Sequence, residues 1–380
     1  MINDKKTLGI YVHIPFCIKK CDYCDFCSFP CVSDGKKELY IDALCRHIRS
    51  YKEKCVGYTV DTVYFGGGTP TLLKISQFKK IFEALKETFE IADVAEITTE
   101  CNPATVDLEY FKEMRNLGFN RLSIGCQTLN DNELKALGRV HTTDDFLSAF
   151  ADARRAGFDN ISVDLMFGIP EQTEESFKNT LDGILELSPE HISAYGLIIE
   201  AGTPFFDNRE KLVLPDEDSE YTMYVGAVKR LAEQGYARYE ISNFAKVGRE
   251  SRHNLKYWRR EEYLGFGVSA HSFFKDERFE AGTELDRYIR GEFISQKELI
   301  CENEAVNEYV MLKMRLAEGV DESEFKQLFG KSFDNVFGRA LDRFIRADLV
   351  IREGGRCRFT DSGLYVSNYV LSEILEFRNF

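Results

Sequence analysis

Proline, tryptophan and positive charge are all scarce in this sequence, and each shortage excludes something. With 8 prolines in 380 residues and no polar low-complexity tract, little of the chain is suited to disorder. Lys and Arg number 49 against 63 Asp and Glu, a formal net charge of -14. Such a balance argues against a nucleic-acid or anionic-membrane surface. No run of 18 apolar residues occurs, so nothing is expected to span or insert stably into a bilayer. Tryptophan occurs once and histidine six times, so each of these residues has to be weighed singly. What is present is ample for a core: 44% hydrophobic residues, including 30 Phe and 18 Tyr. The length exceeds one average domain and suggests a large domain with a smaller one.

Cysteine is the exception to the scarcity. The stretch "YVHIPFCIKKCDYCDFCSFPC", residues 11–31, holds five of the eleven cysteines. Lys5, Lys6 and the apolar run after them resemble a secretion signal. However, His13 and Pro15 interrupt the run and no small-residue cleavage site precedes Cys17. A buried first strand is the better reading, and a cytoplasmic location follows from it. In that compartment thiols stay reduced, so the cysteines read as ligands or core residues rather than disulfides.

Short β-branched runs alternate with amphipathic stretches through the first half. Strands are expected at Leu8–Ile14, Thr62–Phe65, Glu96–Thr99, Arg121–Gly125, Asn160–Phe167 and His191–Ile198, apolar on both faces. Helices are expected at Lys37–Tyr51, Ile75–Phe89, Leu108–Leu117, Asp131–Leu137, Thr143–Ala156 and Glu174–Leu187. This is an α/β chain with a parallel sheet and right-handed crossovers. Six units are too few for a closed eight-fold barrel, leaving a partial (β/α)6 barrel or an open doubly wound sheet. We divide the chain into a core at 1–200, an aromatic-rich extension at 201–295 and a C-terminal domain at 296–380. The last shows helices at Glu304–Leu316, Glu322–Leu328 and Phe333–Ala347, then a hairpin turning at Gly354-Gly355, an order like that of a winged helix. It carries 12 basic and 15 acidic side chains, too acidic for a DNA-binding wing, so a structural or docking role is expected.

Cys17, Cys21 and Cys24 form C-x3-C-x2-C directly after the first strand. Zinc sites usually pair two C-x2-C knuckles, and no second knuckle occurs here. Three thiolates in one loop can instead hold three irons of a [4Fe-4S] cluster, leaving the fourth iron open. Buried structural thiols are the competing reading. The spacing, with the aromatic Tyr23 before the last Cys, resembles the radical S-adenosylmethionine (SAM) superfamily, and the resemblance implies that Tyr23 contacts SAM. One βα unit later comes "YFGGGTP", residues 64–70, whose glycines let backbone groups approach a ligand closely. In that superfamily the corresponding turn receives the methionyl amine of SAM, which would place Gly67, Gly68 and Thr69 at the cofactor. Glu100, Gln127 and Asp164 stand at or just past strand ends, with Arg139 on the connection after Gln127. In parallel sheets such positions face the ligand crevice. With Tyr11, they match the SAM contacts of the oxygen-independent coproporphyrinogen dehydrogenase branch.

Within that branch, "YVHIPFC", "CDYCDF", "FGGGTPT", "NRLSIGCQ", "LGRVH" and "DLMFGIPEQT" run in family order. "HNLKYW", residues 253–258, resembles the H-N-x-x-Y-W signature of HemW-type haem chaperones. That resemblance implies a cluster, SAM, one bound haem and haem-accepting partner proteins of unknown identity. It also nominates His253 as the haem ligand, with Tyr257 and Trp258 as walls. A hydrogen-bonded core histidine is the alternative, and His271 is a competing ligand. His13, His47, His141 and His191 have weaker claims. The dehydrogenase itself carries a Cys two residues after the third cluster Cys, where Phe26 stands here. It also has an N-terminal extension, whereas sixteen residues precede Cys17. Cys27 and Cys31 are expected to be spare thiols. The alternative function is a radical SAM oxidoreductase acting on a porphyrinogen, and a third reading, a sensing regulator, is disfavoured by the acidic tail.

Overall fold

Alternation with a period of two divides the side chains of six strands between two media. In the computed structural model, which describes residues 6–375, these strands are Lys6–Ile14 (β1), Tyr58–Gly67 (β2), Glu90–Cys101 (β3), Arg121–Gln127 (β4), Ile161–Phe167 (β5) and His191–Gly196 (β6). Leu8, Ile10, Val12, Val63, Phe65, Leu122, Ile124, Val163, Leu165 and Ile192 face outward and are fully buried in one hydrophobic core. Tyr64, Glu100, Arg121, Ser123, Asp164, His191 and Ser193 alternate with them and line an interior cavity. The expectation of strands apolar on both faces is therefore corrected. Helices cover one face alone, and the other turns inward on polar groups.

Each of the six strands pairs in parallel with its neighbour in chain order, the arrangement of a partial barrel. The crossovers carry Asp34–Arg49 (α1), Ile75–Thr88 (α2), Leu108–Leu117 (α3), Thr143–Arg155 (α4) and Glu174–Leu187 (α5). Side chains of Ser33, Asp107, Thr142 and Thr173 accept hydrogen bonds from the first-turn N–H groups of four of them, which satisfies donors that a helix start otherwise leaves unpaired. The expected short helix after Gln127 forms as Asp131–Ala136.

The segment after β6 extends both edges of this sheet. The helix Glu217–Glu233 (α6) leads to Ala237–Arg238 (β7) and Asn243–Ala245 (β8), which pair beyond β6. After the helix Arg252–Trp258 (α7), the strand Tyr263–Phe266 (β9) pairs in parallel with β1. Antiparallel strands His271–Phe274 (β10), Glu277–Glu280 (β11) and Gln296–Leu299 (β12) follow, giving twelve strands in all. Gln296–Leu299, at the start of the expected C-terminal domain, pairs with β11 in the large sheet.

A second core gathers Val310, Met314, Phe325, Phe337, Leu341, Phe344 and Val350. Its elements are Glu302–Lys313 (α8), Val320–Asp321 (β13), Glu322–Phe329 (α9), Arg339–Arg346 (α10), Val350–Glu353 (β14) and Arg356–Phe359 (β15). The three strands pair in the order β13-β15-β14, and the element order is that of a winged helix. Among the described residues no helix is long and apolar enough to cross a membrane. Residues 1–5 and 376–380, at the outer limits of the expected domains, lie outside the described residues.

Candidate cofactor site at the strand ends

The cysteine loop leaves the top of β1 and is pinned on several sides. Phe16 and Cys17 pair in parallel with Phe29 and Pro30. The Asp22 N–H donates to Leu137 O at 3.1 Å, and the Phe205 N–H donates to Asp22 O at 2.9 Å. The ring of His13 bonds through Nε2 to the Cys27 carbonyl at 2.8 Å, and its Nδ1 meets the Tyr11 hydroxyl at 3.0 Å. Cys17, Cys21 and Cys24 line the cavity. The Cys27 thiol donates instead to Thr283 O, and the Cys31 thiol to Ile18 O, each at 3.7 Å. Among the described residues no three ligand side chains are gathered for a single metal ion. Three thiols facing one cavity, each able to take its own iron, fit a cluster. The Thr69 hydroxyl donates to Cys17 Sγ at 3.8 Å and Arg139 Nη1 to Cys21 Sγ at 3.6 Å. Both sulfurs thus already have donors suited to a thiolate.

The glycine turn lies against this loop. Gly67 has φ +111°, a left-handed conformation that favours glycine. A Cβ on Gly67 would meet the His13 ring at 2.5 Å, and one on Gly68 would meet Phe16 O at 2.7 Å. These glycines are thus required by the packing of the cysteine loop as well as by room for a ligand. The Gly67 N–H donates to Glu100 Oε2 at 3.0 Å, and the Tyr64 hydroxyl donates to Oε1 at 3.1 Å.

Around the cavity stand Tyr23, Gly67, Gly68, Thr69, Glu100, Gln127, Arg139 and Asp164, eight of the sequence-nominated SAM residues, enclosing about 500 Å³. Gln127 has φ +63°, a costly conformation for a side-chain-bearing residue and one that concentrates at ligand sites. Its buried Oε1 has no partner. Arg139 donates through Nη2 to Gly125 O at 3.0 Å, and Asp164 accepts from the Ser123 hydroxyl at 3.0 Å. Burial and neighbouring Asp164 push the Glu100 carboxyl up to about 7. Burial raises Asp164 as well. A bound cation would relieve both. An orphaned amide oxygen, two strained carboxylates and a glycine cradle are what an amine- and ribose-bearing cation such as SAM would use.

Two nominated residues lie elsewhere. Tyr11 does not line the cavity. It stands behind Tyr64 with ring centroids 6.2 Å apart, its hydroxyl engaged by His13. His253 is fully buried on α7, which closes the N-terminal end of the barrel, opposite the cysteine loop. Nδ1 is hydrogen-bonded to Thr62 Oγ1 at 2.9 Å and Nε2 to the Tyr257 hydroxyl at 2.7 Å. Glu96 caps the same helix, accepting from the N–H groups of Arg252 and His253 at 3.2 and 3.1 Å. Ligation of an iron by His253 would take one ring nitrogen from its present partner and leave the other bonded. The haem-ligand role that the resemblance implies for His253 therefore competes with two hydrogen bonds already made. Sequence reasoning missed Tyr64, Arg121, Ser123, His191, Ser193 and Tyr195, all cavity-lining. The period-two spacing of Arg121, Ser123, Gly125 and Gln127 carried the signal.

Residues 11–184 match the model of the radical SAM superfamily, and residues 301–366 that of the HemN C-terminal domain. The haem chaperone HemW of Bacillus subtilis (strain 168) is 35% identical over 375 residues, covering 96% of this chain and 98% of that protein. Its namesake in Escherichia coli (strain K12) is 32% identical, covering 97% and 98%. Among solved structures, coproporphyrinogen III oxidase (HemN) from Escherichia coli, described as a radical SAM enzyme, superimposes with a TM-score of 0.86. The two are 24% identical, with 99% of this chain and 91% of that one covered. That likeness establishes the fold.

Proposed function

We propose, for a chain that belongs to the HemW family of the radical SAM superfamily, that it is a haem chaperone: it binds haem and passes it to acceptor proteins. In this reading it also holds a [4Fe-4S] cluster on Cys17, Cys21 and Cys24, with SAM at the strand ends. The observation that carries the cofactor part is the single cavity shared by the three cysteines, the glycine turn and the polar strand ends. The haem part is supported by the near full-length similarity to proteins named haem chaperones. When bound, the cluster would supply an open iron for the amine and carboxylate of SAM. Gly67 N–H and Tyr64 hold Glu100 in place beside that position, and Gln127 and Asp164 present acceptors to the ribose.

His253 serves in this reading as a brace of the barrel floor. Among the described histidines the exposed ring is His271, on β10, whose Nε2 lies 3.4 Å from Glu280 Oε2. It is the imidazole most open to an external haem iron, at the cost of its contact with Glu280. The test uses the cluster-reconstituted protein under argon. Haem titration should give a saturable Soret band, and mixing with apomyoglobin should transfer that haem to the acceptor. Incubation with SAM, dithionite and coproporphyrinogen should leave the porphyrinogen unchanged. Oxidative decarboxylation of coproporphyrinogen, with no haem retained, would replace the chaperone reading by the oxidoreductase one.

A further inference from the structure

At the start of β4, Arg121 is 2% exposed, yet among the described residues its guanidinium has no ion pair or hydrogen bond. Its Nε is buried without a partner. A buried guanidinium without direct hydrogen bonds is destabilising, so its retention needs a reason. Asp164 feels the Arg121 charge without forming an ion pair with it, and each neighbouring carboxylate has other hydrogen-bond partners. Glu96 caps α7, Glu100 accepts from Tyr64 and Gly67, and Asp164 accepts from Ser123. His191 is held neutral by burial and by Arg121 itself. It is hydrogen-bonded to Ser162 and Tyr239.

Arg121 faces the same cavity as the cofactor residues, beside Ser123, Ser193, Asn243 and Asn254. In register it pairs with Thr98, whose buried hydroxyl is also unpartnered. The cavity thus runs from a cationic Arg139 beside the cysteine loop to a second guanidinium deeper in the barrel that makes no direct hydrogen bond or ion pair. A planar guanidinium fork with hydroxyl and amide neighbours matches the two oxygens of a carboxylate.

We propose that Arg121 forms a carboxylate-binding subsite in the depth of the cavity, taking a carboxylate of a ligand that enters through the mouth. Deepening the cofactor reading, the proposal rests on the cavity being the ligand site. It does not depend on haem being the ligand. Two sources share the chemistry: a propionate of haem, and the methionyl carboxylate of a SAM molecule that does not place it on the cluster's open iron.

The experiment compares wild type with Arg121→Gln and Arg121→Lys in the reconstituted protein. Each is titrated anaerobically with haem, haem dimethyl ester, SAM and decarboxylated SAM. The Gln variant should bind the relevant carboxylate ligand about 10- to 100-fold more weakly. It should bind the ester or decarboxylated form as wild type does, and Lys should restore part of the loss. The cluster absorbance should be unchanged. A haem-specific loss identifies the propionate, and a SAM-specific loss identifies the methionyl carboxylate. Using the difference between paired ligands removes any general loosening by the substitution. If the Gln variant does not fold, the Lys variant carries the same comparison, since it keeps the charge and loses the fork. Carboxylated and uncarboxylated ligands weakened equally, or not at all, would overturn the subsite and make Arg121 a counter-charge to the buried acids. Failure of haem to bind any form would sink the chaperone reading while leaving the SAM arm decisive for Arg121.

Discussion

Glu100 illustrates how one side chain can report on the whole site. Its carboxyl is raised to about 7 by burial and by Asp164, against 4.5 for the ordinary group. Between those values the folded chain holds a proton that the unfolded chain has released, so this group's contribution to stability declines as pH rises through 4.5 to 7. Above 7 the folded protein carries a buried anion. Glu100→Gln should therefore stabilise the ligand-free protein at pH 8 and have little effect at pH 5, read by denaturant melts at both. A constant difference would show that Glu100 does not titrate as its surroundings dictate. His253 works in the opposite direction. Burial and Lys256 push it down to about 3, and burial lowers His47 to about 3 and His141 to about 4. The unfolded chain then binds the extra protons, and these groups' contribution is lost as pH falls below 6.5. His253→Ala should remove two buried hydrogen bonds and leave a cavity, destabilising the protein by about 2–4 kcal/mol. His271→Ala, at an exposed ring, should not. A haem spectrum lost in His253→Ala with stability unchanged would return the ligand role to His253.

At the scale of elements, the structure ties together two loops that look independent in the sequence. The cysteine spacing and the glycine run were legible because each is local: three thiols in eight positions after a strand, and glycines at the next strand's end. What was not legible is that the His13 ring fills the space over Gly67 while bonding the Cys27 carbonyl, a contact across more than fifty residues. Gly67→Val should therefore lower cluster content and SAM affinity together. Treating the two loops as separate would have it spare the cluster. Visible absorbance after reconstitution measures the first and calorimetry under argon the second; SAM binding lost at full cluster occupancy would uncouple the loops again. Replacing Cys17, Cys21 or Cys24 by Ala should abolish the absorbance, whereas Cys27→Ala and Cys31→Ala should keep it, because those thiols point to Thr283 and Ile18. The six strands were likewise readable from β-branched runs. Their inward polarity was not recognised, because Thr62, Ser123 and Ser162 are small and neutral and passed for members of an apolar run. The position of the floor helix was not legible, because nothing in a seven-residue segment says which end of a barrel it closes.

For the molecule as a whole, two hydrophobic cores have to behave as one body, and the junction between them is polar. Glu308 of α8 lies between Arg260 and Arg278, at 2.7 Å from Arg260 and in contact with Arg278. The Ala317 N–H donates to Tyr239 O at 2.9 Å, and Leu316 forms a β-bridge with Glu240. Glu308 and Arg260 are 12% and 13% exposed, so water does little to screen the pair or to compensate its loss. Removing one partner leaves buried charge without a counterion, a larger effect than deleting a surface pair. Glu308→Ala should destabilise the junction by about 2–4 kcal/mol while leaving the interior of each core intact. The expected readout is a change in cooperativity. Wild type should unfold in one transition, whereas the variant should release the C-terminal core first, and limited proteolysis should cut near residue 300 below the main transition. The cluster, bound by a loop on the far core, should survive that first step with its absorbance unchanged. Retention of a single transition in Glu308→Ala would mean that the Glu240 bridge and the Tyr239 hydrogen bond suffice to couple the cores. Loss of the cluster in the first step would mean that the C-terminal unit supports the barrel directly.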